Sequence, residues 1–329
     1  NDVLAGIIVA LIALPLSIAL ALASGVTPEK GIYTAITAGF VISFLGGSRV
    51  QIAGPTAAFA TIVAGIVAKN GMDGLIIATL LAGVILILMG FLRLGNLIKF
   101  IPYTITTGFT SGIAVTIFIG QIKDFLGLTI VSEEPLIETM DKLKAVFQFI
   151  STTNVQALLV GVISLLILIL WQYLPGFCKK IPPSLIAVLV GSAMVALLNM
   201  NVNTIGDLYE ISNKLPSISL PAFRLKTVQN VLPDAFTIAI LAAIESLLSC
   251  VVADSMVNSR HRSNMELIAQ GAGNITSALF GGIPATGAIA RTAANVKNGG
   301  RTPIAGMVHS VTLLLILVVL MPYAALIPM

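Results

Sequence analysis

Glu245, in DAFTIAILAAIESLLSCVVAD, is the one acidic side chain at the centre of an apolar segment of this 329-residue chain. A charge at mid-bilayer is unfavourable by about 2.5 to 3.5 kcal/mol on insertion scales, so its presence argues for use. Ser249 lies four residues on, Thr237 eight before and Asp234 eleven before. That spacing puts all four near one helical face, as the lining of a polar cavity requires. There Glu245 could carry a coupled proton or ligate Na⁺; the plain structural reading is a carboxyl satisfied by serine and backbone partners. Arg291, in GAIART, carries a similar penalty. It could pair with Glu245 from an adjacent helix, or supply positive charge behind a bound anion.

Arg291 falls in LFGGIPATGAIARTAANVKNGGR, Leu279 to Arg301, which has a partner in LGGSRVQIAGPTAAFATIVAGIV, Leu45 to Val67. In each, a Gly-Gly turn leads to a short extended run, a Pro-Thr or Pro-Ala-Thr step, and a helical run of small residues. At about 1.5 Å per residue, helices over Pro55 to Ala68 and Gly287 to Asn298 are too short for a hydrocarbon core of about 30 Å. Each reads as half a helix. Broken backbone at membrane depth is tolerated where it is buried or lines a cavity, and two breaks in corresponding places suggest a central substrate site. Helix N-termini present free N–H groups and positive dipole ends, so the expected guest is an anion.

The elements around these breaks are apolar. Hydrophobic residues make up 57% of the chain, charged residues 10%, and mean hydropathy is +1.02, the composition of a polytopic membrane protein. Spanning segments are read from Val3 to Ser24, Tyr33 to Gly46, Leu75 to Leu92, Ile101 to Gln121, Val155 to Tyr173, Ile181 to Met200, Leu232 to Asp254, Asn264 to Phe280 and Ile304 to Ile327. With the two broken segments they make eleven crossings. Gly31, Gly39 and Gly46 suit the short second segment to close packing. With the N-terminus cytoplasmic, short inside loops carry Arg49, Arg93, Lys99, Lys179, Lys180, Arg260, Arg262, Lys297 and Arg301, against Lys30 and Lys69 outside. That asymmetry sets the orientation, and it accounts for the net charge of +4 without nucleic acid.

The connection 201–230, with Pro216 and Pro221, reads as an extracellular seam between a first repeat of seven crossings, 1–200, and an incomplete second of four, 231–329. An odd number of crossings per half inverts the second repeat and brings the half-helices in from opposite sides. Asn264, Glu266, Gln270 and Asn274 form a polar stripe read as interhelical hydrogen bonding. Thr104, Thr107, Gly108 and Ser111 suit close packing, and Pro15 interrupts the first segment, where it could open backbone toward the cavity. His261 and His309 are read as loop and interface residues. Cys178 and Cys250 stand apart, with no disulfide or metal pattern. No basic leader with a cleavage site is read at Asn1, so the first segment is kept as a span. No nucleotide loop, catalytic triad or zinc motif is present, so neither an enzyme nor a cofactor is expected.

The motifs LPLSIALALASGVTPEKGIYTAI, GGSRVQIAGPTAAF, IESLLS, RHRSNMELIAQGAGNITSALFGGIPATGAIART and GGRTP together resemble the SulP family of sulfate permeases and related anion transporters. The resemblance covers essentially the whole chain. It implies seven plus seven inverted repeats, a fold shared with nucleobase-cation symporters, with a core domain and a gate domain. It places the anion between the half-helices, at Thr56, Ala57, Ala58 and Phe59 on the first and Gly287, Ala288 and Ile289 on the second. Leu16 and Leu20 then form an apolar wall, and Glu245 with Ser249 the cation-coupling position. Family members continue with three more helices and usually a cytoplasmic STAS domain, so the chain reads as truncated. Some relatives have a polar residue at Leu16, and some bicarbonate-type relatives have Thr at Ile289, which favours H⁺ over Na⁺ here.

The sequence thus predicts an all-α polytopic membrane protein of the 7+7 inverted-repeat type. Its two broken half-helices are preceded by short extended strands. The predicted activity is secondary active, proton-coupled symport of sulfate, bicarbonate or a dicarboxylate by alternating access, with Arg291 added to the anion site. The expected setting is a homodimer in the cell membrane, N-terminus cytoplasmic. A nucleobase-cation symporter is the alternative within the fold; a non-transporting scaffold or sensor is the alternative outside it.

Overall fold

A computed structural model describes residues 1–96, 103–131, 136, 138–174, 182–209, 214–218, 220–222 and 224–328. Lys99, Cys178, Lys179 and Lys180, and the expected span starts at Ile101 and Ile181, lie outside the described residues. The chain forms two compact units, 1–106 with 214–318, and 107–213 with 319–329.

The first unit opens with α1 (Asp2–Ala23) and α2 (Pro28–Leu45). Pro15 sits inside α1, and Pro28 begins α2, where its missing N–H breaks no helical bond. Then come β1 (Ala53–Gly54), a 3₁₀ turn (Ala57–Phe59) and α3 (Ala60–Phe91). Gly71, at φ 66° and ψ −171°, breaks α3 in a conformation open to glycine. The first part is the expected half-helix and the second covers the segment expected at Leu75 to Leu92.

The return half of the unit contains α9 (Leu225–Val257), α10 (Ser263–Leu279), β2 (Thr286–Gly287), α11 (Ile289–Lys297) and α12 (Pro303–Leu320). Helix α9 begins seven residues before the expected Leu232. Leu225, Val228 and Val231 continue an apolar stripe through Lys226, Gln229 and Asn230, a mixed stretch that a search for apolar runs passes over.

Helix α10 is the hub, packed on α3, α2 and α9, while α1 packs on α2, α11 and α3. A Cβ on Gly83 of α3 would come within 2.7 Å of the Gly271 carbonyl oxygen of α10, so only glycine allows this backbone approach. The core between α3 and α9 holds Phe59, Val63, Ile66, Leu75, Ile238 and Leu247.

The second unit contains α4 (Tyr103–Phe125, largely), α5 (Thr139–Gln148), α6 (Val155–Leu170), α7 (Pro183–Leu197) and α8 (Ile205–Leu208). Asn154 caps α6 by accepting from the Gln156 and Ala157 amides. The α5 and α8 helices fall within connections that the sequence reading left without elements. Asp207 accepts from the Thr204 amide and hydroxyl, both at 2.7 Å, and these bonds hold its exposed carboxyl below the usual range.

Among the described residues, Asp2–Ala23, Ala57–Phe91 and Leu225–Val257 are long and apolar enough to cross a membrane. Val155–Leu170, Pro183–Leu197 and Pro303–Val319 are shorter apolar helices.

Candidate functional site

The two breaks meet. Strands β1 and β2 pair antiparallel, Ala53 opposite Gly287 and Gly54 opposite Thr286, and the Ala288 amide donates to the Ile52 carbonyl at 2.9 Å. The chain therefore leaves this short ladder in opposite directions toward two helix N-termini. Thr56 precedes the first, Ala288 the second, and neither position carries a side-chain cap. In α11 the first amide with an intrahelical acceptor is that of Thr292, bonded to the Ala288 carbonyl at 2.9 Å. The amides of Ile289, Ala290 and Arg291 come before it, at the positive end of the dipole.

Side chains fix the ladder from every side. Ser246 of α9 accepts from the Gly287 amide at 3.1 Å and shares a 2.6 Å hydrogen bond with Thr286, which also reaches the Ala242 carbonyl at 3.2 Å. On α11, Thr292 accepts from the Ile52 amide at 3.0 Å, and Asn295 donates to the Val50 carbonyl at 2.8 Å. Asn274 of α10 clamps Ala285 through both its amide and its carbonyl, each at 2.9 Å. Thr34 accepts from the Ile283 amide at 2.7 Å, and Ser277 donates to the Ile283 carbonyl at 2.7 Å. The irregular backbone of the two breaks is thereby satisfied internally, as a membrane setting requires.

Glu266 holds the approach to β1. Fully buried, it accepts from the amides of Gly47 (2.8 Å) and Ser48 (3.1 Å), from Gln51 (2.8 Å) and from Gln270 (2.8 Å). Gln51 in turn accepts from the Cys250 thiol at 2.7 Å. Glu266 lies in the first turn of α10, where the dipole favours a carboxylate.

Glu245, half-buried, accepts from the Thr56 hydroxyl at 2.9 Å, which joins the acid to the start of the first half-helix. Ser249 faces elsewhere, donating to Thr292 at 3.3 Å. Thr237 is exposed and bonds the Pro233 carbonyl, so the four-residue polar face expected around Glu245 is reduced; Asp234 is half-buried. Arg291 is 2% exposed and donates to the Pro55 carbonyl. Among the described residues it makes no ion pair with Glu245. Of the two alternatives for Arg291, the ion pair with Glu245 is thus not formed. Its side chain is tied to the backbone before the first half-helix.

Of the other expected site residues, Phe59 is fully buried, Leu20, Gly287 and Ala288 are buried, and Ala57, Ala58 and Ile289 are half-buried. Leu16 is 39% exposed, four residues from Leu20 on α1. His261, as expected of a loop residue, bonds Asp254 through Nδ1 at 2.8 Å and Ser263 through Nε2 at 2.9 Å. His309 departs from its interface reading: it is wholly buried on α12, in contact range of Gly39 of α2. Ser246 and Gln51 were missed. A polar Gln51 within an otherwise apolar extended run was the available signal; Ser246 binds a backbone amide, which leaves no trace in sequence.

The order and geometry have counterparts. The model of the sulfate permease family matches residues 1–329. YvdB of Bacillus subtilis (strain 168), whose name assigns it provisionally to sulfate transport, is 45% identical over 331 residues, covering 100% of this chain and 62% of its own length. The bicarbonate transporter BicA of Picosynechococcus sp. is 33% identical over 342 residues, covering 100% of this chain and 59% of its own. The chain thus spans about three fifths of the length of these curated relatives. The solved transmembrane domain of a cyanobacterium bicarbonate transporter BicA superimposes with a TM-score of 0.87 at 31% identity, over 99% of this chain and 84% of that one. A family match from the first residue to the last, together with the same overall helical fold, means that this chain belongs to the sulfate permease family.

Proposed function

We propose that this chain is the membrane domain of a secondary active anion transporter, carrying sulfate, bicarbonate or a dicarboxylate by alternating access with proton coupling. The observation that carries the reading is the antiparallel β1–β2 ladder, from which two uncapped helix N-termini diverge with Arg291 buried against Gly54 and Pro55. Free amides, two dipole ends and one guanidinium recognise an anion, and the small residues Ala57, Ala58 and Ala288 leave the amides accessible. Leu16 and Leu20 supply the apolar wall. Glu245 carries the proton, and Thr56 links it to the first half-helix.

Two inverted repeats, 1–200 and 231–329, fit the recurrence of one element order: two helices, a two-residue strand, a half-helix, a further helix. The setting proposed is the cell membrane, with the N-terminus cytoplasmic and the protein a homodimer.

Purified protein in liposomes tests the function. Labelled sulfate, bicarbonate and a dicarboxylate are offered in turn, with uracil as the uncharged comparison. At least one anion is expected to enter, faster under an inward proton gradient, and to be displaced by unlabelled competitor. Vesicles that take up no anion, or uracil alone, would overturn the proposal.

A further inference from the structure

Arg291 and His309 share one wall of the ladder. A Cβ on Gly54 would lie 2.5 Å from Arg291 Nη1 and 3.6 Å from Ala35 Cα of α2. One turn along α2, a Cβ on Gly39 would lie 2.8 Å from Ser310 Oγ, 3.2 Å from the Ala53 carbonyl and 3.9 Å from His309 Nδ1. The Ala35–Gly39 turn thus rests on β1, with the guanidinium beside its start and the imidazole beside its end. Ser310 fixes α12 here by donating to the Ala35 carbonyl at 3.2 Å.

The hydrogen-bonding inventory of this wall is uneven. Arg291 uses Nη2 on Pro55, and its Nε and Nη1 have no protein acceptor. His309 is 0% exposed, and neither ring nitrogen has a protein partner. A neutral imidazole has one acceptor nitrogen and one donor; a guanidinium has donors only. Buried polar groups in native proteins find partners, and an ordered water is a common one where the protein supplies none. The unpartnered buried acceptor on α11, Asn295 Oδ1, lies one turn further on against Gly300, and its amide is committed to Val50.

We propose that His309 is a positioning residue for the anion site: its neutral ring accepts, through one ordered water, from the Arg291 donors that Pro55 leaves free. Held on both sides, the guanidinium stays behind the half-helix ends and does not swing onto Glu245. Its field is then available to a bound anion. This deepens the anion-transport reading and rests on it for its kinetic consequence, while the contact itself is independent of transport.

Nuclear magnetic resonance of protein carrying ¹⁵N-labelled histidine tests the contact. The chain has two histidines, so His261→Gln assigns both. A single neutral tautomer is expected for His309, with its acceptor nitrogen shifted in Arg291→Gln and the His261 signals unmoved. A His309 spectrum indifferent to Arg291→Gln would overturn the proposal, whether or not the protein transports. The kinetic arm compares His309→Phe, which keeps a ring without an acceptor, with His309→Gln, which restores one. His309→Phe is expected to raise KM for the transported anion about tenfold with Vmax retained, and His309→Gln to recover most of that loss. A folded His309→Phe with wild-type KM would overturn the positioning role, and where that variant does not fold the spectroscopic arm decides.

Discussion

Glu266→Ala is expected to leave little folded protein. The carboxylate satisfies four buried donors, the amides of Gly47 and Ser48 and the side chains of Gln51 and Gln270. Each donor left unpaired in an apolar setting costs about 1 to 3 kcal/mol, so the loss totals about 4 to 12 kcal/mol. That is comparable with the whole stability of a typical domain, about 5 to 15 kcal/mol. Glu266→Gln should be milder. Gln270 has an unpartnered Oε1 and can turn its amide to accept, whereas Gln51 cannot turn without losing Cys250. Size-exclusion profiles and melting temperatures in detergent check the order: wild type, then Gln, then Ala. A monodisperse Glu266→Ala with a wild-type melting temperature would show that Glu266 does not hold the segment leading into β1.

Glu245→Gln is expected to abolish concentrative uptake while leaving anion exchange. Glutamine preserves the shape and can still accept from Thr56, so the half-helix keeps its neighbour, but the site no longer takes up and releases a proton. With one proton per monovalent anion, an inward gradient of one pH unit corresponds to about 1.36 kcal/mol, or about tenfold accumulation. The variant should equilibrate to about onefold and still exchange labelled for unlabelled anion across the membrane. Accumulation by the variant equal to wild type, or wild-type uptake that follows a Na⁺ gradient and ignores pH, would refute coupling at this residue.

Much of this arrangement is legible in sequence because breaks in a membrane chain are conspicuous. Gly-Gly turns and Pro-Thr steps inside apolar surroundings place the half-helices to within a few residues of 57–70 and 289–297. Glu245 and Arg291 stand out because charge is scarce there. What closes the structure is less visible. The β1–β2 pairing, the Ser246 bond to Gly287 and the Thr34 and Asn274 clamps all involve backbone groups that every residue carries. Helical spacing placed Thr237 with Glu245, but burial is set by which faces of α9 meet α3 and α11, and Thr237 faces out. His309 was misjudged for a related reason. A histidine with no partner at ligand spacing reads as an interface residue until α12 is seen packed where Gly39 leaves room for it.

The central claim is that backbone amides at the half-helix ends bind the anion, and proline at position 289 tests it most directly. Proline is accepted at the first position of a helix, where it removes only an N–H that has no intrahelical partner. Ala288, at φ −96° and ψ 111°, already has the extended conformation that a residue before proline requires. Ile289→Ala removes the side chain and keeps the amide, so the difference between the two variants isolates that amide. A hydrogen bond to a charged group contributes about 1.5 to 3 kcal/mol, so equilibrium binding of labelled sulfate or bicarbonate to Ile289→Pro should be about 10- to 150-fold weaker than to Ile289→Ala, with melting temperatures alike. Equal affinities in two equally stable variants would contradict the account.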